Sequence, residues 1–198
     1  MNKETKTNYD IHPLLKKRWS PRAFSEKPVE KEKLQSIFEA VRWSPSASNE
    51  QPWAFIIGKK GDETYDGIMS TLVEFNQIWS QFAPVLILSC ARKDLIKGDG
   101  ENFSRMYDVG QAVAYLSFQA ASEGLYVHQM TGFDAGKTNK LFHVPDNFEA
   151  VSVIAVGYIG DPKILHPNLE KMEYADRIRK PLKEFIFSSK FGVSPELF

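Results

Sequence analysis

The stretch SRMYDVGQAVAYLSFQAASEGL, residues 104–125, decides the architecture of this chain. Met106, Val109, Val113, Leu116, Ala120 and Ala121 recur at helical spacing, yet they fall on more than one side of the helix. A helix apolar on several sides is buried nearly all round, in a core or across a contact between subunits. Gly124 stands where such a helix ends. Outward from this helix, short apolar runs bounded by polar or turn residues read as strands: WAFIIGKK (53–60), APVLILSCAR (83–92), YVHQM (126–130) and AVSVIAVGYIG (150–160). VEKEKLQSIFEAVRWS (29–44) sets Leu34, Ile37, Phe38 and Val41 on one helical stripe, and DETYDGIMSTLVEF (62–75) and DAGKTNKLFHV (134–144) read as further helices. Strands that alternate with helices predict a sheet covered by helices, of the α/β or α+β kind.

A length of 198 residues with no repeat and no low-complexity linker predicts one domain over residues 1–198. Lys plus Arg equals Asp plus Glu at 25 each, so no global field draws the chain to nucleic acid or to an anionic membrane, and any positive site is local. The single cysteine, Cys90, ends an apolar run; no intrachain disulfide can form, and its plain reading is a small buried hydrophobe. No apolar run approaches the roughly 18 residues of a membrane span, and the expected setting is cytoplasmic. There is no nucleophile elbow, P-loop, dinucleotide fingerprint or metal spacing, and His12, His128, His143 and His166 are scattered. Each histidine reads as structural or exposed, with His128 in its strand the one to inspect. If the chain is an enzyme, its hard chemistry belongs to a bound cofactor.

Three short segments carry the local positive charge and polarity. In KKRWSPRAFSEKPVE (16–30), Arg18, Ser20 and Arg22 lie two apart, so an extended backbone projects them to one side, and two guanidinium forks with a hydroxyl match a phosphate. A solvated basic turn is the bland alternative. SPSASNEQPW (44–53) crowds Ser46, Ser48, Asn49 and Gln51 around small Ala47, suited to the polar rim of a flat ligand or to an ordinary turn. RIRKP again places Arg177 and Arg179 two apart, and the tail ADRIRKPLKEFIFSSKFGVSPELF is apolar enough, from about residue 185 onward, to predict packing on a partner subunit.

RWSPRAF, SPSASNEQPW, GLYVHQMTGFD, AVGYIGDP and RIRKPL, in this order over nearly the whole chain, resemble the signature series of the nitroreductase family of FMN-dependent NAD(P)H oxidoreductases. The resemblance implies an α+β fold with a central, mainly antiparallel sheet flanked by helices, and an intertwined homodimer with FMN at each interface. It implies that Arg18 and Ser20, with Arg177 and Arg179, hold the FMN phosphate, that Arg22 lies near N1 and the C2 carbonyl, and that Pro45, Ser46, Ala47 and Asn49 come from the partner. Thr131 and Gly132 match positions whose backbone N–H groups approach N5 and O4. Trp19 stands among the cofactor-binding positions where a basic or histidine residue is common. Asn76 in EFNQIWSQF lacks the lysine that accompanies it in some members and is left out of the site. The implied activity is ping-pong hydride transfer from NAD(P)H to an organic acceptor such as a nitroaromatic or a quinone, with no catalytic side chain and no metal. A flavin sensor or store without turnover, a cofactor-free domain, and related chemistries such as dehalogenation or flavin fragmentation stay open.

Overall fold

The computed structural model describes residues 3–197, so the two extreme ends of the expected 1–198 domain, and the last residue of its tail, lie outside the described residues. Its elements are α1 (Pro13–Lys17), α2 (Lys31–Arg42), β1 (Trp53–Lys59), α3 (Glu63–Thr71), α4 (Glu74–Ser80), β2 (Val85–Arg92), α5 (Arg105–Ser122), β3 (Tyr126–Met130), α6 (Ala135–Leu141), β4 (Phe148–Gly157) and α7 (Pro167–Tyr174). The four strands form one sheet in the order β1-β2-β4-β3, every neighbouring pair antiparallel. The architecture is therefore α+β, as the resemblance implied.

Both faces of the sheet are covered. Alternate residues of β2 serve opposite cores: Val85, Ile87 and Ala91 join Leu34, Ile37 and Val41 of α2 and Val113 and Leu116 of α5, while Leu86, Leu88 and Cys90 join Ile68 of α3, Trp79 of α4 and Leu169 of α7. That is why β2 reads as an unbroken apolar run: two buried faces leave no polar alternation. Cys90 is buried, and burial pushes its thiol up to about 11, so it behaves as a hydrophobe.

The pivotal helix is buried on one side only. Val109, Ala112, Val113, Leu116 and Ala120 of α5 are buried, while Met106, Tyr107 and Tyr115 are exposed. It ends as expected, with Gly124 at φ +75 and the Leu125 N–H reaching back 2.8 Å to Ala120 O, a left-handed turn that favours glycine. The single helix predicted over 62–75 is two. Leu72 is extended (φ −69, ψ 148) because it bridges Phe133, and the Gln77 side-chain amide donates to its carbonyl at 2.7 Å. No glycine or proline marks this break, so a tertiary pairing overrides the local helical pattern. No described helix is long and apolar enough to cross a membrane, and no group of three or more His, Cys, Asp or Glu among the described residues could hold a metal.

Candidate functional site

The 16–30 stretch begins with α1, which the spacing did not predict. His12 starts it, its ring Nδ1 accepting the Leu14 N–H at 3.2 Å, with Pro13 in the first turn where a missing N–H costs nothing. His166 caps α7 in the same way, through the Asn168 N–H. Arg18 closes α1 in an extended conformation (φ −61, ψ 124). Trp19 then turns inward. It is buried edge-on against Tyr126, ring centroids 6.1 Å apart, with the Lys3 ammonium 4.7 Å above its indole. Burying Trp19 sends its neighbours Arg18 and Ser20 to the other side of the extended chain, where they share a 3.4 Å hydrogen bond from guanidinium to hydroxyl.

Arg177 and Arg179 follow α7 and arrive at the same place from the far end of the chain. Arg18, Ser20, Arg22, Arg177 and Arg179 line one cavity of about 210 Å³, together with Lys3, Trp19, Glu173 and Asp176. The ion pairs of the described residues include none made by Arg18, Arg177 or Arg179. Burial, and then Arg179, lower the pKa of Arg18; burial, Arg18 and Arg179 lower that of Arg177. Although Asp176 also lines the cavity, three guanidiniums that repel one another and make no ion pair among the described residues form a site complementary to a multiply charged anion. Arg177 is also structural, donating through Nη1 to Lys16 O at 2.7 Å and Lys3 O at 3.1 Å. Trp19 lines the cavity, but its indole Nε1 is buried without a partner, so what it supplies is the packing that aims its neighbours.

Arg22 is held by a residue the sequence reading missed. Both carboxylate oxygens of Glu173, on α7, accept the Arg22 N–H at 3.1 Å, and Oε2 also accepts the Ala23 N–H at 3.4 Å. Glu173 is fully buried. Desolvation raises its pKa, opposed by those N–H groups and by the charges of Arg22 and Lys3. A glutamate in EKMEYADR reads as a solvated helix charge. The available signal was its place four residues after Leu169, which puts the two on one face of the helix. On the other side, His128 Nδ1 lies 2.8 Å from Pro21 O, and its ring packs 4.4 Å from Trp79. Burial first, and then the charge of Arg22, bring its pKa down to about 4 against the opposite pull of Pro21 O, so the ring is neutral and donates that hydrogen bond.

Thr131 and Gly132 follow β3. Among the described residues, neither N–H carries a hydrogen bond outside the sheet ladder. Their backbone is fixed by α4: the Gly132 carbonyl accepts the Val73 N–H at 3.1 Å and the Asn76 side-chain amide at 3.0 Å. A Cβ on Gly132 would stand 2.8 Å from Asn76 Nδ2 and 3.0 Å from Val73 Cγ2, which is why glycine is there. Asn76, left out of the site by sequence, thus fixes the Gly132 backbone, and neither Thr131 nor Gly132 lines the arginine cavity.

The 45–51 loop is a separate structure within the chain. Ala47, Ser48 and Asn49 form a short 3₁₀ turn in which Ser48 (φ 52) and Asn49 (φ 55) are left-handed, as is Gln51 (φ 47). For Ser and Gln this is an uncommon backbone, costing on the order of 1–3 kcal/mol each, and it persists only where its surroundings dictate it. Buried Asp108 receives the Ala47 N–H at 3.3 Å, and buried Glu50 receives the N–H groups of Ile96 and Lys97. Pro45, Ala47, Ser48 and Asn49 are exposed and Ser46 is half-buried, and none of them lines the arginine cavity. The chain thus brings together Arg18, Trp19, Ser20, Arg22, Arg177 and Arg179, and leaves the 45–49 loop apart from them.

Residues 15–158 match the model of the nitroreductase family. A solved structure described as an oxidoreductase containing FMN is 33% identical, covers 96% of each chain and superposes with a TM-score of 0.88. An uncharacterized 15.4 kDa protein of Mycolicibacterium smegmatis is 31% identical over 70% of this chain and 97% of its own length. A Stenotrophomonas maltophilia protein named "Putative NADH dehydrogenase/NAD(P)H nitroreductase" is 25% identical over 79% of this chain and 88% of its own.

Proposed function

The chain belongs to the nitroreductase family of oxidoreductases, and on that premise we propose that it binds FMN and passes hydride from NAD(P)H to an organic acceptor such as a nitroaromatic or a quinone. The observation that carries the reading is the meeting of Arg18, Ser20, Arg177 and Arg179, from opposite ends of the chain, on one small cavity where none of those three arginines makes an ion pair among the described residues. Such a cluster fits a phosphate, which accepts forked hydrogen bonds and relieves the mutual repulsion of the cations.

Bound FMN would supply the two-electron hydride chemistry. In this reading Arg18, Ser20, Arg177 and Arg179 hold its phosphate, and Trp19 holds Arg18 and Ser20 in place. Arg22 places a fixed positive charge beside the pyrimidine edge, where negative charge grows on reduction. Thr131 and Gly132 would offer backbone N–H donors to the ring of the bound flavin. Pro45, Ser46, Ala47 and Asn49 meet the cofactor from a second copy, consistent with none of them lining the cavity of their own chain. The exposed face of α5, with Met106 and Tyr107 beside Gly110, where a Cβ would meet nothing, supports a homodimer contact there. Phe185, Phe191 and Leu197 of the tail are 55%, 94% and 76% exposed in the single chain, which supports their packing on the same partner. One exposed cofactor face serving donor and then acceptor predicts ping-pong kinetics.

The test is purification without added cofactor, followed by release and mass identification of any flavin and anaerobic mixing with NADH and with NADPH. A yellow protein that releases FMN and bleaches with either nicotinamide supports the reading. A colourless protein that takes up no FMN overturns it, and one that is yellow but never bleaches is a flavin store or sensor.

A further inference from the structure

Glu173 is a costly residue in an inexpensive position. Glu173 shares the buried face of α7 with Leu169, and a buried carboxylate carries a desolvation penalty that packing does not return. Its bonds show where its effect goes. Both oxygens accept the Arg22 N–H at 3.1 Å, one reaches the Ala23 N–H at 3.4 Å, and the Arg22 guanidinium nitrogen Nη1 stands 3.8 Å from Oε1, outside hydrogen-bond range. The carboxylate therefore grips the backbone and faces the charge without capturing it. His128 holds Pro21 O at 2.8 Å, and residues 23–25 pair with 158–160 through the bonds Gly160 N to Ala23 O and Ser25 N to Tyr158 O. The segment bearing Arg22 is thus fixed from α7, from β3 and from the end of β4. Arg22 itself is 19% exposed in its side chain, with Nε buried and unpartnered.

We infer that Glu173 is a positioning residue for the cofactor reaction: it fixes the Pro21–Ala23 turn so that Arg22 faces the cofactor, and its charge limits how much of the Arg22 charge the cofactor feels. The inference rests on the reading of this cavity as an FMN site with Arg22 at the pyrimidine edge. A carboxylate beside the guanidinium offsets part of its field, so removing the negative charge strengthens the preference for the reduced, more negative cofactor. Shortening the side chain instead keeps the charge but withdraws the oxygens from the two N–H groups.

The experiment loads wild type, Glu173→Gln and Glu173→Asp with FMN and measures FMN affinity by fluorescence quenching and the two-electron midpoint potential by spectroelectrochemistry. Glu173→Gln is expected to shift the balance toward reduced cofactor by about tenfold, equivalent to about 30 mV more positive for a two-electron couple. Glu173→Asp is expected to keep FMN bound and to shift the balance about tenfold toward oxidised cofactor, about 30 mV more negative, because Arg22 is no longer held against the cofactor. An unchanged potential in fully loaded Glu173→Gln, whatever its melting temperature, overturns the charge role and leaves Glu173 purely structural. A wild-type potential in fully loaded Glu173→Asp overturns the positioning role, and this arm decides alone if Glu173→Gln does not fold. Failure of the FMN reading is seen separately, as a wild-type protein that binds no FMN.

Discussion

Replacing Arg18 with alanine is expected to move the free and the FMN-bound protein in opposite directions. In the free chain the Arg18 guanidinium makes one long bond, 3.4 Å to the Ser20 hydroxyl, while burial and Arg179 both disfavour its charge. Deleting it removes little and relieves repulsion with Arg177 and Arg179, so the stability of the free protein should hold within about 0.5 kcal/mol or rise. In the bound protein the deletion costs a charge-assisted phosphate contact, about 1.5–3 kcal/mol, which weakens FMN binding roughly 10- to 150-fold. At a flavin concentration 100 times the wild-type Kd, binding stabilises wild type by about 2.7 kcal/mol; a 30-fold weaker Kd leaves just under about 1 kcal/mol. Most of the flavin-induced rise in Tm should therefore vanish, although the apoprotein melts no earlier. The assay is thermal melting with and without FMN beside a fluorescence-quenching titration, with reduction rate per bound flavin expected unchanged. A destabilised apoprotein with wild-type FMN affinity would refute the reasoning, because Arg18 would then be a structural residue.

Arg22→Gln should keep the flavin while slowing its reduction by NAD(P)H on the order of 10²- to 10³-fold in stopped-flow, since the fixed charge is lost and the phosphate contacts stay. Gly132→Ala drives a Cβ to 2.8 Å from Asn76 Nδ2 and 3.0 Å from Val73 Cγ2, and chemical denaturation should show a loss of about 1–3 kcal/mol together with weaker FMN binding. For His128 the folded pKa of about 4 lies below its ordinary 6.5, so the unfolded chain binds the extra proton between those values. Its contribution is fully present above pH 6.5 and is lost as pH falls toward 4, up to about 3 kcal/mol; denaturation at stepped pH should show that slope in wild type and a flatter one in His128→Gln. Truncation before Phe185 should shift the protein toward monomer in light scattering and release flavin in the same step, and loss of neither would show that the tail serves no contact.

What was legible in the sequence is what depends on local repetition. The two-residue and 3.6-residue periods of apolar side chains disclose which face of each element is buried, and so α2, α5 and all four strands lie close to where the patterns put them. Motif order carried the family, because residues two apart in an extended segment share a side whatever the rest of the chain does. Only the tertiary structure decided matters that turn on distant partners. The split between α3 and α4 arises because Leu72 pairs with Phe133, sixty-one residues on, and nothing near Leu72 announces it. Trp19, grouped by sequence with its basic neighbours, is instead the buried anchor that orients them. Glu173 and Glu170 look alike along the chain, yet burial gives one of them a charge that water no longer screens, and that charge meets Arg22 across 151 residues of sequence. Hydrophobic periodicity is a property of neighbours, whereas a buried charge takes its meaning from whatever the fold sets against it.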